Sequence, residues 1–353
     1  MELEYKKDFE QARRDWIAFW EGKARRPLVS VTLPKHPAAP PCPSPYRCAF
    51  GNIEDIARQV GDWAASHEFL AGSIPFYHIS FAPDHLALLL GADILFNPDS
   101  PQTHWVVPCI KDWERDRIAF RPESHWWQRT VECIRIFRRH FEGKMLLSGP
   151  NLQGGLDCLS AMRGVEPLLM DLVTTPELVK KALREADQAA DEVREALARE
   201  LDIPRYGSLT RHGMYGTGLS DVAQCDFSCM IGTDMFREFG VPSLEHEVRK
   251  IGAAEYHLDG PGALRHLEAI CAIDKISVIQ WQPGSGNAAE QDWTELYRRI
   301  DRLGKGQILF GQDLDTIKKM WREFKSRRLF FQLKVSSRRE AEKWLAELDA
   351  LEK

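Results

Sequence analysis

The sequence predicts an α/β protein of the (β/α)8 TIM-barrel class with a helical extension at its N-terminus. Short apolar runs alternate with helical patterns from Leu28 to the end of the chain, which gives about eight strand–helix units. The runs are apolar throughout, as expected for parallel strands that are buried on both faces. The length of 353 residues suits a barrel with an extra N-terminal piece. A doubly wound sheet is the alternative, but no dinucleotide glycine fingerprint follows the first strand.

The first 50 residues are expected to form a helix and a proline-rich segment that pack on the barrel. Residues 51–353 then form the barrel, in a single domain overall. Within the first part, residues 1–27 carry an amphipathic helical pattern and a basic turn, and residues 28–33 read as a buried strand. Residues 34–50 hold so many prolines that a loop is predicted there.

The alternation continues through the rest of the chain. Residues 52–70 read as one helix that starts near Asn52. The pair Thr175–Pro176 predicts a break and restart inside the long helical pattern of residues 166–201. Residues 212–231 are a glycine-rich fourth segment. The other strands are expected within residues 74–83, 144–151, 253–260, 276–284, 307–313 and 328–337, and further helices within residues 234–252, 262–273, 292–304, 314–327 and 338–353.

The composition is ordinary for a globular protein with a large core. Hydrophobic residues make up 44% and charged residues 28%. The net charge of -5 gives no reason to expect a nucleic acid or an anionic membrane as partner. No apolar run is long enough to span a bilayer, and the charged N-terminus is not a signal peptide, so a cytoplasmic location is expected. The eight cysteines are scattered and are expected to be free thiols.

Polar side chains recur where the predicted strands end, and active sites of such barrels lie at these ends. His257 and Asp259 end the fifth strand, directly before a Gly-Pro-Gly turn, and are candidate catalytic residues. The structural alternatives are a helix cap for Asp259 and a buried core position for His257. Trp281 ends the sixth strand and suits stacking on a planar group or a sugar ring. The other candidate substrate-binding residues at strand ends are Gln282, Asn151, Gln312 and His78.

Several segments between residues 145 and 345 resemble the uroporphyrinogen decarboxylase superfamily, whose fold is the (β/α)8 barrel. They are "LLSGPNLQGGLDCLSAMRG", "QCDFSCMIGTDMFREFGVPSLEHEV", "EYHLDGPGALRHLEAICAI", "VIQWQPGSGN", "ILFGQDLD" and "LFFQLKVSSRREAE". Their order and spacing together carry the resemblance. It implies that Tyr215 and Asp226 stand where the superfamily keeps a substrate-contacting tyrosine and a small polar site residue. Arg163, in the arginine–glycine that ends the first segment, is either an anion contact or a salt bridge.

The decarboxylases of this superfamily carry an Arg-Gln-Ala-Gly-Arg segment whose arginines grip the carboxylates of the tetrapyrrole. The nearest string here, "ARQVGDW", keeps Arg58 and Gln59 but has Asp62 in place of the second arginine. A substrate with many carboxylates needs a strongly basic pocket. The predicted strand ends hold more neutral and acidic groups than arginines, which argues against that activity.

The methyltransferases of the superfamily bind zinc through a His-x-Cys at the end of the fifth strand and through a later cysteine, and the zinc activates a thiol. Here His257-Leu258-Asp259 stands at that position, with aspartate in place of cysteine, and no cysteine follows Cys271. The resemblance therefore implies either a metal site with harder ligands at His257 and Asp259 or an acid/base couple in its place. The further candidate ligands are Cys225, Cys229 and Glu255.

We therefore expect a methyltransferase-type enzyme that moves a methyl group between a small substrate and a corrinoid or thiol. Zinc would bind at His257 and Asp259, and a corrinoid would be carried by a separate partner protein, since no cobalamin-binding module is evident. The first alternative is a metal-free decarboxylase, a lyase acting on a carboxylate-rich or tetrapyrrole-like substrate. The second is a carbohydrate-active or binding barrel with Asp259 and Asp313 as paired carboxylates and Trp281 as stacking platform. The third is a non-catalytic binding protein on the same fold.

Overall fold

The computed structural model describes residues 2–96, 104–284, 286 and 291–351. In chain order, its strands are β1 (Leu28–Pro34), β2 (His67–Ala71), β3 (Phe76–His78), β4 (Asp93–Leu95), β5 (Trp105–Val107), β6 (Leu146–Ser148), β7 (Ser208–Leu209), β8 (Tyr215–Gly216), β9 (Ser220–Gln224), β10 (Ala253–Asp259), β11 (Ile276–Gln282), β12 (Gly306–Phe310) and β13 (Leu329–Gln332).

The α-helices are α1 (Phe9–Trp20), α2 (Ile53–Ala65), α3 (His85–Leu89), α4 (His125–Phe141), α5 (Gly155–Arg163), α6 (Val165–Thr174), α7 (Pro176–Glu200), α8 (Ile203–Tyr206), α9 (Thr233–Met235), α10 (Val241–Arg249), α11 (Leu267–Cys271), α12 (Thr294–Arg302), α13 (Leu314–Glu323) and α14 (Arg338–Asp349). Single 3-10 turns cover Pro45–Cys48, Asp226–Met230 and Pro261–His266, and a π-helical turn covers Phe236–Gly240.

Seven strands form the central sheet in the order β2-β1-β13-β12-β11-β10-β9. Every neighbouring pair is parallel except β1 and β2, which run antiparallel. The strands β3 and β6 form a separate parallel pair, with Phe76 beside Leu146. Each of the seven predicted strand segments contains a strand, and the glycine-rich segment of residues 212–231 contains β8 and β9. The predicted α/β class with a mostly parallel sheet is therefore confirmed.

Two local predictions differ in outcome. The break at Thr175–Pro176 is confirmed, because α6 ends at Thr174 and α7 begins at Pro176. The single helix over residues 52–70 is wrong, because α2 ends at Ala65 and the following residues form β2. The apolar spacing of residues 67–71 fits either a helix or a strand. These residues form a strand because they pair with the edge of β1, where Leu70 lies opposite Val31.

Helix α1 fills the space at the amino-terminal ends of several strands. Phe9, Trp16 and Phe19 lie on its buried face. The indole of Trp16 donates from Nε1 to the Gly72 carbonyl at 2.9 Å, which fixes the helix against the chain after β2. The strand residues that share this core are Leu28, Leu146, Leu209, Val278, Ile308 and Phe330. Because α1 occupies this end, the carboxyl ends of the strands remain for a functional site.

A second and larger core lies between the strands and the surrounding helices. It includes Tyr256, Leu258 and Ile279, each about 1% exposed, together with apolar residues of α2, α4, α5 and α7. Within the residues that the structure describes, no helix combines the length and the apolar character needed to cross a membrane.

Candidate functional site

Successive side chains at the end of β10 point to opposite faces of the sheet. Residues two apart on a strand point the same way, so Glu255, His257 and Asp259 share one face. Tyr256 and Leu258 point the other way, into the larger core. The strand thus holds His257 and Asp259 next to each other at the carboxyl edge of the sheet.

A neighbouring strand fixes the ring of His257. Gln280 on β11 lies opposite His257 in the register, and its Oε1 is hydrogen-bonded to His257 Nδ1. The Gln280 amide is itself oriented, because its Nε2 donates to the Trp281 carbonyl at 2.9 Å. Nδ1 therefore carries the proton and Nε2 keeps a free lone pair. Burial lowers the pKa of His257 to about 4, with Arg211 adding to the shift, so the ring is neutral at pH 7.

Asp226 comes from the turn that follows β9. Its backbone N–H donates to Asp157 Oδ2 and that of Phe227 donates to Asp157 Oδ1, each at 2.9 Å. Its own Oδ2 accepts from Gln224 Nε2 at 2.8 Å. Its Oδ1 is buried and has no hydrogen-bond partner among the described residues. A buried carboxylate oxygen without a partner is costly, so this atom is suited to an external ligand.

Asp226, His257 and Asp259 form a group of metal-ligating type. One donor atom from each lies within 4.8 Å of the donor atoms of the other two. Burial raises the pKa of Asp226 to about 8, and the charges of Asp157 and Asp259 add to the shift. Burial also raises the pKa of Asp259, although Arg211 opposes it. These carboxylates are held close together with little positive charge, which a divalent cation would supply.

Asp157, on the first turn of α5, positions this group without belonging to it. If the group holds zinc, as the resemblance implies, Asp157→Asn should weaken zinc binding by about 10- to 100-fold, as loss of an outer hydrogen bond to a metal ligand does. The two carboxylate oxygens of Asp157 each accept one backbone N–H, whereas an asparagine has a single oxygen and an NH₂ group that cannot accept. The turn at Asp226 must therefore shift. Competition with a chromophoric chelator measures the affinity. Asp93→Asn is the matched control, because Asp93 also accepts two hydrogen bonds, from the Ile94 N–H at 2.8 Å and from Trp126 Nε1 at 2.9 Å, and it does not belong to the ligand group. Equal affinities of the two variants would contradict the role of Asp157.

Arg211 and His212 lie on the turn after β7, beside the same face of β10. His212 Nδ1 donates to Glu255 Oε1 at 2.5 Å, and Thr210 Oγ1 donates to Glu255 Oε2 at 3.1 Å. The rings of His212 and His257 are 6.0 Å apart. Burial raises the pKa of Glu255, but His212 and Arg211 more than offset this, so the pKa lies below its ordinary value. The buried carboxylate of Glu255 is thus already satisfied by the protein.

Two cavities meet at Arg211. The larger has a volume of about 220 Å³ and is lined by Ser30, Thr32, Gln332 and His212 as well as Arg211. The smaller has a volume of about 40 Å³ and holds two of the predicted residues, His78 and Asn151. Burial lowers the pKa of His78 to about 3, so this ring is also neutral at pH 7.

Two other predicted residues lie at the same edge of the sheet. Gln282 is exposed, and its carbonyl accepts from the Gly260 N–H at 2.8 Å, directly after Asp259. Gln312 is half-buried beyond β12 and donates from Nε2 to the Phe310 carbonyl at 3.4 Å. The described contacts of Gln312 are therefore local to its own loop.

Three predicted residues lie elsewhere. Trp281 is 6% exposed and packs against Trp293 with ring centroids 4.9 Å apart, on the helix side of the sheet. Tyr215 packs against Phe9 of α1 with ring centroids 5.7 Å apart, in the core at the amino-terminal ends of the strands. Arg163 donates from Nε to Asp171 at 2.8 Å, which matches the salt-bridge alternative.

The structure adds residues that the sequence reasoning did not single out. They are Gln224, Gln280, Asp157, Arg211 and His212. The two glutamines come from apolar runs, and only the register between strands shows that they face the ligand group. His212 begins the glycine-rich fourth segment and Arg211 directly precedes it, so the available signal was two adjacent basic side chains at the start of that segment.

Comparison with known proteins gives a fold relationship. No family model matches this sequence, and no curated protein matches it. Among solved structures, a methyltransferase from Methanosarcina mazei is similar with a TM-score of 0.61 and 12% sequence identity. The similarity covers 96% of this chain and 98% of that chain. At this identity the relationship shows a shared fold over nearly the whole length.

Proposed function

We propose that this protein is a metal-dependent methyltransferase-type enzyme that moves a methyl group between a small substrate and a corrinoid or thiol. Asp226, His257 and Asp259 would hold the metal, and a separate corrinoid protein would be the partner where a corrinoid takes part. The observation that carries the proposal is the buried, unpartnered Oδ1 of Asp226 within a group of three ligand side chains. The fold shared with a methyltransferase supports it.

The donor set fits zinc. It offers one imidazole nitrogen and two carboxylate oxygens, and three protein ligands leave a fourth position for substrate, as in catalytic zinc sites. The hydrogen bond from His257 Nδ1 to Gln280 leaves Nε2 as the donor atom, which is the usual outer-shell arrangement of a metal-binding histidine. The other residues considered as ligands are engaged differently. Cys225 is buried in the larger core, Cys229 donates from Sγ to the Asp259 carbonyl at 3.3 Å, and Glu255 pairs with His212.

When bound, zinc would supply a Lewis-acid site that lowers the pKa of a substrate thiol. With a methylcorrinoid as the methyl donor, the transfer would be a displacement in which sulfur bonds to the methyl carbon while the carbon–cobalt bond of the donor breaks and leaves its electron pair on cobalt. The thiol proton needs an acceptor that titrates near neutral pH. Burial raises the pKa of Asp84 to about 6, and the charge of Asp226 adds to the shift. The electrostatic interaction with Asp226 makes Asp84 a candidate for this acceptor, alongside Asp226 itself, whose pKa is raised to about 8.

The proposal predicts zinc-dependent methyl transfer. Purified protein would be incubated with methylcobalamin and 2-mercaptoethanol, and the methyl thioether measured by mass spectrometry. We expect product with zinc-loaded protein and a loss of at least about 100-fold after chelator treatment, since the thiol is then not activated. Equal rates with and without zinc, or no thioether from a panel of small thiols, would contradict the proposal.

Metal-free decarboxylation of a small carboxylate is the second candidate. The specific observation in its favour is Arg211, whose Nη1 is buried and unpartnered in the described part of the chain, near an Asp226 whose pKa is raised to about 8 by burial. Such a pair could hold a carboxylate and return a proton to carbon. Carbon dioxide release that survives chelator treatment would favour this candidate.

The carbohydrate alternative has less support, because Asp313 caps α13 through Thr316 and Trp281 packs on the helix side.

We also propose that the strands close into the (β/α)8 barrel, with residues 1–50 packed on it. Side chains link the strands outside the main sheet: Ser148 Oγ donates to the Leu209 carbonyl at 2.8 Å, and the Ser220 N–H donates to Ser208 Oγ at 2.7 Å. On the other side, the Gly72 N–H donates to the Val29 carbonyl at 2.9 Å. The first two contacts connect β6 with β7 and β7 with β9. The third connects β1 with the chain that leads into β3, and all of them surround the core that α1 covers.

A further inference from the structure

Arg211 is an inward-facing cation with spare hydrogen-bonding capacity. Its side chain donates from Nε to His212 Nε2 at 3.4 Å, a long contact to a neutral acceptor. Its Nη1 is buried and has no hydrogen-bond partner among the described residues. A guanidinium presents a planar fork of donors that matches a carboxylate, and leaving part of that fork unsatisfied in a buried place is unfavourable.

Of the carboxyl groups whose charges act on Arg211, Glu255 and Asp221 are committed to other partners, and Asp226 belongs to the ligand group. Glu255 accepts from both His212 and Thr210. Asp221 accepts from the Val222 N–H at 2.8 Å and lies 3.7 Å from Arg194 Nε. Arg211 is therefore free to bind an anion that comes from outside the chain.

Space for such an anion is present in the 220 Å³ cavity beside Arg211 and His212. Ser30, Thr32, Ser73 and the amide of Gln332 line part of it, and the apolar side chains of Trp63, Phe69, Ile74 and Phe76 line the rest. The neutral hydroxyl and amide groups suit the remaining oxygens of a small polar molecule. The volume is below the range of about 300–1,000 Å³ typical of drug-sized ligands, which favours a small molecule.

The surrounding charges favour a single negative charge on the ligand. Glu255, Asp221 and Asp226 all lie close enough to Arg211 to interact with its charge. A dianion such as phosphate would meet their repulsion with one arginine to compensate, whereas a monoanionic carboxylate matches the guanidinium in both charge and shape.

We propose that Arg211 is the binding residue for the carboxylate of a small monocarboxylic acid substrate seated in the 220 Å³ cavity, which His212 lines and whose nearest link to the ligand group is the 6.0 Å between the rings of His212 and His257. The assignment of a reacting group at Asp226, His257 and Asp259 rests on the proposed function, but carboxylate binding at Arg211 does not require a metal. The substrate would thus be held at two points, its carboxylate at Arg211 and its reacting atom at the ligand group.

Calorimetric titration of chelator-treated full-length protein with propionate tests this subsite, with uncharged propionamide and inorganic phosphate as comparison ligands. We expect propionate to bind, propionamide to bind at least about 10-fold more weakly, and phosphate to bind more weakly than propionate. Arg211→Gln should lose at least about 10-fold in propionate affinity, and Arg211→Lys should lose less because it keeps the charge. Arg322→Gln, a change of an exposed arginine on α13, should bind as the unchanged protein does.

Several results would overturn the subsite. They are undetectable propionate binding, equal affinity for propionamide, tighter binding of phosphate, or an Arg211→Gln protein that binds propionate normally. The comparison of propionate with propionamide on the unchanged protein decides the matter even if the variant does not fold. Because the protein is stripped of metal, failure of zinc binding leaves this result unaffected. A zinc-binding, methyl-transferring protein that ignores propionate would overturn the subsite and leave the proposed function standing.

Discussion

The replacement His257→Ala is expected to abolish specific zinc binding and zinc-dependent methyl transfer together. His257 offers the nitrogen donor of the group, and its Nδ1 hydrogen bond to Gln280 leaves Nε2 with the free lone pair. Two neighbouring carboxylates that remain repel each other and offer a weaker, less ordered site. Zinc content should fall from about one per chain to about a tenth or less, and the transfer rate by at least about 100-fold.

His36→Ala is the control for this variant, because His36 is exposed and far along the chain from the strand ends. It should keep full zinc content and activity. Circular dichroism and thermal unfolding would show that both variants fold. A folded His257→Ala protein that retains one zinc per chain would contradict the assignment of this ligand, and retained zinc with lost activity would assign His257 to acid/base work instead.

The replacement Arg194→Met is expected to lower the free energy of unfolding by about 3 kcal/mol. The Arg194 side chain is 3% exposed, and its Nη2 donates to Glu247 Oε1 at 3.1 Å. Its Nε lies 3.7 Å from Asp221 Oδ2. Removing the guanidinium leaves Asp221 and Glu247 buried without their cation. Urea unfolding at fixed pH measures the loss.

The pH dependence of this loss follows from Glu247. Burial raises the pKa of Glu247 to about 8, although Arg194 lowers it, so the folded value lies above the unfolded value of about 4.3. Such a group stabilises the fold below its unfolded pKa and loses this contribution as the pH rises through the folded pKa. Without Arg194 nothing offsets the charge that Glu247 then acquires. The deficit of Arg194→Met should therefore be larger at pH 9 than at pH 6.

Arg135→Met provides the comparison for a surface ion pair. Arg135 pairs with Glu200, but its side chain is 63% exposed, so its removal should cost less than about 1 kcal/mol and show little dependence on pH. A deficit of Arg194→Met as small as that of Arg135→Met would show that the buried pair adds nothing to stability.

The sequence patterns predicted most of the strands but not every boundary between a helix and a strand. Apolar runs bounded by turn residues predicted β1, β10, β11, β12 and β13 of the main sheet, because burial on both faces leaves a continuous apolar signal. They did not predict β9, which lies in the glycine-rich segment, or β2. The boundary between α2 and β2 could not be read from Phe69 and Leu70, since their spacing suits both structures. The partner strand β1 decides it, and a contact between residues 31 and 70 has no local signature.

The candidate site shows the same division between local and non-local information. His257 and Asp259 were found because they end one strand, and Asp226 came from the resemblance in residues 145–345. The residue pattern indicated Trp281 as a site residue and gave no signal for Gln280, its neighbour on β11. The two point to opposite faces, and the register with β10 is what puts Gln280 against His257. Turn geometry and strand register depend on the whole fold, so these contacts had no counterpart in the residue pattern.

Zinc K-edge X-ray absorption of the protein reconstituted with one equivalent of zinc tests the central claim most directly, which is that Asp226, His257 and Asp259 form a metal site. We predict tightly bound zinc with a nitrogen and oxygen shell at about 2.0–2.1 Å, an imidazole signature, and no sulfur shell at about 2.3 Å. A spectrum of hydrated, weakly held zinc would contradict the metal site. A sulfur shell would contradict the ligand assignment and place the metal on cysteines instead.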